Sequence, residues 1–286
     1  MSCKSSSRTF VIAFACVLLA SKLPAQTPPD VAMERSGYVD WLKKASNSPL
    51  SAVAQQKVGD GLRLGPEDAD IPLPGMAEFR VYPSGASLIL EGPDGKRLVA
   101  RGGPHRIGKY ALYLTGPRPG TVLTVFAATA GKEPPGYYDY DALVVFTGPL
   151  IRTKTPQVVR VLASDGIEAE ATEVGTFLVP LGGGTALRVL RIPVASGDES
   201  ELEIFFRDES NGDGTYPAGR FVGLHPLPNG QFRLDLNRAR NPFCAYSSVY
   251  PCPAPWRGNT IPAAVRAGER YAGGGLDPGT PGPEAR

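Results

Sequence analysis

The chain has 286 residues, of which 42% are hydrophobic and 20% charged, with a formal net charge of +2. That balance belongs to a globular protein with its own core and excludes a disordered or fibrous chain. No Lys/Arg cluster marks a nucleic-acid face, so no nucleic-acid partner is expected.

Residues 1–26 read as a signal peptide. Lys4 and Arg8 form a basic start, and Thr9 to Ala20 is an apolar run with small residues at Ala20 and Ala25 where cleavage fits. The alternative is an uncleaved anchor, but twelve apolar residues are short for a span. Cleavage removes Lys4, Arg8 and Lys22, leaving 27 basic against 28 acidic residues, a net charge of −1. The expectation is an extracytoplasmic protein, periplasmic or secreted, with no membrane span after cleavage. Cys3 and Cys16 leave with this segment, so Cys244 and Cys252 remain.

Residues 27–49 predict a short helix, with Asp30 placed to cap its start, Lys43 and Lys44 near its negative end, and Pro49 stopping it. Val31, Tyr38, Trp41, Leu42 and Ala45 form a ragged apolar stripe that suits docking on a sheet. From Glu78 to Asp235 the pattern turns to strands. EFRVY, ASLILEG, KRLVA, KYALYL and TVLTVFAA come first, then DALVVFTG, QVVRVLA, TFLVPL, ALRVLRIP, ELEIFFRD and QFRLDL. Runs of this length, punctuated by Gly, Pro, Asp and Asn, predict a mainly β protein, an antiparallel sandwich or partly open barrel. Gly182 to Gly184, Ser210 to Gly214 and Asn229-Gly230 are hairpin turns, the last suited to a type I′ turn. A seam near Lys132 to Gly136 divides the chain into an N-terminal helix plus β subdomain, 27–131, and a C-terminal β subdomain, 137–272. Residues 273–286 are Gly/Pro-rich and are expected to be disordered.

The richest segment is Arg207 to Tyr271. Its polar cluster of Tyr216, Arg220, Asp235, Asn237, Arg238 and Asn241 has two readings. In one, the Asp and Asn side chains satisfy loop backbone and Arg220 pairs with Asp235. In the other, they converge on a pocket where Arg220 holds a carboxylate or phosphate, an anionic or polar small-molecule ligand. DESNGDG, Asp208 to Gly214, imitates a calcium loop but puts Arg220 where the bidentate carboxylate belongs, so a polar turn is expected and no metal. GxSxG and HExxH are absent, and the histidines are His105 and His225. No cofactor is implied.

Cys244 and Cys252 are most simply one disulfide in an oxidising compartment, and three readings stand. A disulfide would close a loop of about nine residues, worth roughly 2.5 kcal/mol. A metal site of the usual kind needs about four ligands, and Cys-x7-Cys is no knuckle spacing. A reactive thiol needs stabilising neighbours such as Arg238 or Arg240.

The block from Thr215-Tyr216 through Arg220, Asp235, Asn237, Asn241, Cys244-Ala245-Tyr246, Cys252 and Asn259 to Glu269 resembles the DUF1684 family. That family's pattern runs close to TYpxGRf…LDFNxAYNPPCAY…CPlP…N…I.AGE. SPLSAVAQQKVGDGLRLGPEDADIPLP and YDYDALVVF look like its N-terminal and middle blocks. The chain departs from the pattern at Leu236, Arg240 and Phe243, where Phe, Tyr and Pro are expected, and at PAPWRGNTI. The resemblance implies no known reaction, though it adds Glu269 as a matched position and a partner for an arginine. Tyr216, Arg220, Asp235, Asn237, Asn241 and Glu269 are therefore the candidate binding residues, under a Cys244–Cys252 loop. Two alternatives stand beside a ligand-binding module. One is a hydrolase or thiol-dependent enzyme using Cys244 or Cys252 with Arg220 and Asn241. The other is a structural or protein-binding envelope module presenting Tyr137-Tyr138-Asp139-Tyr140.

Overall fold

The computed structural model describes residues 26–116, 120–127, 133–193 and 200–271. The leader up to Ala25 and the tail from Ala272 lie outside the described residues.

One α-helix opens the chain, α1, Pro29–Lys44. Its N-cap is Pro28 and no N-cap side chain bonds to it; Asp30 stands inside the first turn and pairs with Arg238. The chain leaves α1 at Ala45 in extended conformation, and Pro49 begins a 3-10 turn, Pro49–Ser51, rather than ending the helix. Val31 and Leu42 are the buried residues of α1, and Tyr38 and Trp41 are half-buried.

Nine strands follow: β1 Ala52–Lys57, β2 Leu62–Gly65, β3 Ile71–Pro72, β4 Phe79–Ser84, β5 Ser87–Gly92, β6 Gly95–Val99, β7 Gly102–Ile107, β8 Tyr110–Thr115 and β9 Val122–Phe126. They make two sheets, in the orders β1-β9-β8-β7 and β3-β2-β4-β5-β6. Leu64, Leu73, Leu88, Leu112, Leu123 and Val125 pack between them as one core.

The second set is β10 Val145–Gly148, β11 Ile151–Leu162, β12 Glu168–Val179, β13 Thr185–Pro193, β14 Ser200–Asp208, β15 Arg220–Pro226, β16 Phe232–Asp235 and β17 Thr260–Ile261. Their order is β10-β16-β15-β14-β13-β12-β11, antiparallel throughout, with β17 alongside β14 in parallel. The protein is thus mainly β with antiparallel sheets and one N-terminal helix. Alternation sends Ile204 and Phe206 of β14 into one core with Phe177, Leu187, Val222 and Leu234, and sends Phe205 to the other face with Phe221 and Trp256. The β12–β13 turn falls at Gly182 to Gly184 as expected. The Asn229-Gly230 turn differs: Leu227 N–H donates to Gln231 C=O at 2.8 Å, closing a three-residue loop with Gly230 at φ +78°. Pro228 leaves no room for a two-residue type I′ turn, and the glycine supplies the left-handed position.

The two sets of sheets meet through specific contacts. Gln55 Nε2 donates to Asp165 C=O at 3.2 Å, Lys57 pairs with Glu168 at 3.1 Å, and Ser247 Oγ donates to Ala52 C=O at 3.2 Å. Among the described residues no helix is long and apolar enough to cross a membrane.

Candidate functional site

Three arrangements emerge from the segment Arg207 to Tyr271, and four of the six candidate residues divide among them.

The first is an internal ion pair. Arg220 opens β15 and Asp208 closes β14, so the hairpin brings them face to face; Arg220 Nη2 donates to Asp208 Oδ2 at 2.8 Å, both side chains fully buried. The same guanidinium donates to the carbonyls of Ala267 and Val265 and lies over the Phe206 ring at 5.3 Å. Asp208 Oδ1 in turn accepts from Ser210 N–H at 2.8 Å, Val265 N–H at 3.0 Å and the Ser210 hydroxyl. The calcium-like loop is therefore closed on itself. The partner of Arg220 is Asp208, not Asp235, because Asp235 lies on β16 and caps the 3-10 turn Leu236–Arg238 through Asn237 N–H at 3.0 Å. Burial lowers the pKa of Arg220 while Asp208 opposes the shift. With no exposed surface and its Nη atoms engaged, Arg220 offers nothing to an outside anion.

Asp235 and Asn237 are likewise engaged. Asp235 Oδ1 accepts from Asn237 Nδ2 at 2.9 Å, and Asn237 exchanges a pair of bonds with the Asp141 backbone at 2.8 and 2.9 Å. These two side chains anchor the start of β10 to the end of β16.

The second arrangement is a buried carboxyl ringed by tyrosines. Glu269 is fully buried, yet no arginine or lysine forms an ion pair with it among the described residues. Its Oε2 accepts from Tyr246 Oη at 2.6 Å and Asn241 N–H at 2.7 Å; its Oε1 accepts from Tyr137 Oη at 3.2 Å. Tyr38 of α1 adds a third hydroxyl, 3.5 Å from that of Tyr246. Burial raises the carboxyl's pKa, and the bonds from Tyr246 and Asn241, the positive charge of Arg240 and the bond from Tyr137 only partly offset it. Burial also raises the three phenols, so their hydroxyls stay protonated and remain donors. Asn241 Nδ2 donates to Arg270 C=O at 3.2 Å, while its Oδ1 is buried with no partner among the described residues. Two ring faces already carry cations: Arg240 sits over Tyr38 at 4.2 Å and Arg35 over Tyr137 at 4.7 Å. Helix α1 is held against this cluster through Arg238 to Asp30 and Glu34, Arg240 to Glu34 at 2.7 Å, and Arg35 to the Asn237 carbonyl at 2.9 Å.

The third arrangement contains Tyr216, Cys244 and Cys252. In place of the expected disulfide both cysteines are free thiols, and the Tyr216 hydroxyl lies 3.2 Å from Cys244 Sγ and 3.3 Å from Cys252 Sγ. Tyr216 leans edge-on against Tyr271, in an apolar cluster with Ala52, Ala111, Phe126 and Tyr250.

The structure thus joins Asn241 and Glu269 in one site and moves Tyr216 to the thiols. It adds Tyr38, Tyr137 and Tyr246, which the sequence analysis did not single out as ligand contacts. In the run Tyr137-Tyr138-Asp139-Tyr140, Tyr137 and Tyr138 are half-buried, Asp139 is exposed and Tyr140 is buried. His105 lies on β7 and His225 on β15, in separate sheets.

Residues 135–270 match the family model described as a protein of unknown function, DUF1684. The chain is also similar to the solution NMR structure of an uncharacterised protein from Haloarcula marismortui. The two are 32% identical over 48% of this chain and 75% of that one, with a TM-score of 0.40. No curated protein matches the chain.

Proposed function

We propose, for a chain that belongs to the DUF1684 family, the function of an exported β-rich module that binds a small, donor-bearing ligand at Glu269. Export rests on the basic start and apolar run of residues 4–20. The observation that carries the ligand reading is a fully buried carboxyl with no ion-pair cation, next to the unpartnered Asn241 Oδ1. Evolution rarely leaves a buried charge or a buried acceptor unmatched unless something completes it.

The chemistry of the cluster selects the ligand. A carboxylate and a carboxamide oxygen are acceptors, so they favour N–H donors over anions. Tyrosine faces attract cations, and Arg35 and Arg240 already use two of them. A small organic ammonium ion meets both demands. An anion held by Arg220 does not fit, because that arginine is sealed against Asp208. Partly buried Tyr38, Tyr137 and Tyr246 surround the carboxyl, and α1 packs beside them.

Calorimetric titration with ethanolammonium tests this reading. Saturable binding at one site per chain is expected, weakened at least about tenfold by Glu269→Gln, which removes the charge but keeps the shape. Tyr137→Phe, which deletes one hydroxyl from the cluster, weakens it less. Acetate binding in place of ethanolammonium, or equal affinity in Glu269→Gln, overturns the reading.

A further inference from the structure

The pocket around Tyr216 holds chemistry that the Glu269 site does not use. Cys244 is 2% exposed, whereas Cys252 is half-buried, between Pro251 and Pro253. The two thiols hydrogen-bond to each other, and both lie within reach of the one Tyr216 hydroxyl. The walls are apolar and come from both sets of sheets: Ala52, Ala111 and Phe126 from the first, Tyr250 and Tyr271 from the segment after β16.

The cations that the sequence offered as thiolate partners are elsewhere. Arg238 is bound to Asp30 and Glu34, and Arg240 to Glu34. A negative charge on sulfur is therefore held by hydrogen-bond donors alone, the second thiol and the phenol. Neutral donors in a dry pocket are effective because no water competes with them. The geometry is also asymmetric. One sulfur faces an approach from solvent; the other waits behind it, closed to outside reagents but in contact with its partner.

We infer that Cys252, Cys244 and Tyr216 form a dithiol–disulfide exchange site whose substrate is a small-molecule disulfide, with Cys252 attacking and Cys244 resolving. Cys252 thiolate attacks one substrate sulfur, its S–S bond breaks, and the first thiolate leaves and takes a proton. Cys244 then gives up its proton and attacks Cys252 Sγ, forming the Cys244–Cys252 bond and expelling the second thiol. The substrate disulfide gains two electrons and two protons, and the protein dithiol loses them. Tyr216 can donate to whichever sulfur is anionic, so one hydroxyl serves both steps. Consistent with this order, the bond from Cys244 lowers the Cys252 thiol to about 6, and its role as donor together with burial raises Cys244.

The reduced full-length protein, incubated with oxidised glutathione, tests the site by thiol release and mass spectrometry. Each chain is expected to end with an internal disulfide and to release both glutathione thiols. Cys244→Ser should stop at a mixed disulfide on Cys252, and Cys252→Ser should slow oxidation at least about tenfold. Tyr216→Phe keeps the ring and its packing. It should move the midpoint of Cys252 alkylation upward from about 6, a readout that a purely structural role leaves in place. The proposal is overturned if native Cys252 alkylates with an ordinary thiol midpoint near ~8.5. It is equally overturned if Cys252→Ser oxidises at the native rate. A Cys244–Cys252 bond that dithiothreitol cannot reduce in the folded protein is a static staple and also refutes exchange. None of these readouts depends on ammonium binding at Glu269.

Discussion

Arg220 and Glu269 are both fully buried charged side chains from the same C-terminal block, and their surroundings differ. Arg220 has a carboxylate at 2.8 Å and two backbone carbonyls on its Nη atoms, with its Nε left unpartnered among the described residues, and Asp208 has its own ring of donors. Among the described residues Glu269 has phenols and one backbone N–H, with the Arg240 charge acting on it without an ion-pair contact, and beside it Asn241 Oδ1 has no partner. A charge that is completed inside the protein holds loops together and leaves nothing for a ligand. A charge left incomplete carries a cost that a ligand can repay. Burial alone does not separate structure from function; the partner list does.

Breaking the completed pair should have the largest effect. Arg220→Met leaves Asp208 buried without its cation and is expected to cost about 3–5 kcal/mol, read as a lower urea midpoint. A loss under about 1 kcal/mol would mean that Asp208 is satisfied without Arg220 and that the contrast with Glu269 fails.

A pH-dependent effect comes from a third acidic group, Glu203 on β14. Burial, with Glu201 and Asp165 nearby, pushes its carboxyl up from 4.5 to about 8. The folded state then binds a proton that the unfolded chain has lost. Stability from this group is complete below pH 4.5 and falls as pH rises to about 8. Glu203→Gln should flatten that stretch of the stability–pH curve, measured by thermal melts across the window. An unchanged slope would place the protonation elsewhere, with Glu269 the next group to test.

The smallest effect lies beside the site. Glu34→Ala removes the bonds from Arg238 and Arg240 that hold α1, and because these groups are partly exposed it should cost no more than about 1 kcal/mol. Hydrogen exchange in α1 should rise, and high salt should imitate the variant. Protection that is indifferent to both would mean that Val31 and Leu42 dock α1 by themselves.

Most strands from Glu78 to Asp235 were legible because apolar residues alternate between turn residues, but β7 and β15 were not among the runs singled out. β1 was not legible, since AVAQQK has little apolar pattern and is set by pairing with β9. The first half of β12, EAEATEVG, was missed for a related reason. The register shifts between Glu173 and Gly175, and Gly175 at φ +152° approaches the Ile151 carbonyl too closely for any side chain. Asn241 and Glu269 were legible through the family resemblance. Their tyrosines were not, because Tyr137 lies 132 positions from Glu269 and only the fold brings them together. Asp208 was visible but was read within its own loop, and its partner twelve positions on was assigned to Asp235.

The central claim is that Glu269 is a buried carboxyl awaiting a cation. It is tested most directly by following the Glu269 side-chain carboxyl by 13C NMR through a pH titration, with and without ethanolammonium. The account predicts a midpoint above the ordinary 4.5 that falls when the ammonium ion binds and stabilises the charged form. A midpoint at the ordinary value, unmoved by ethanolammonium, would contradict it and leave Glu269 as a structural carboxylate like Asp208.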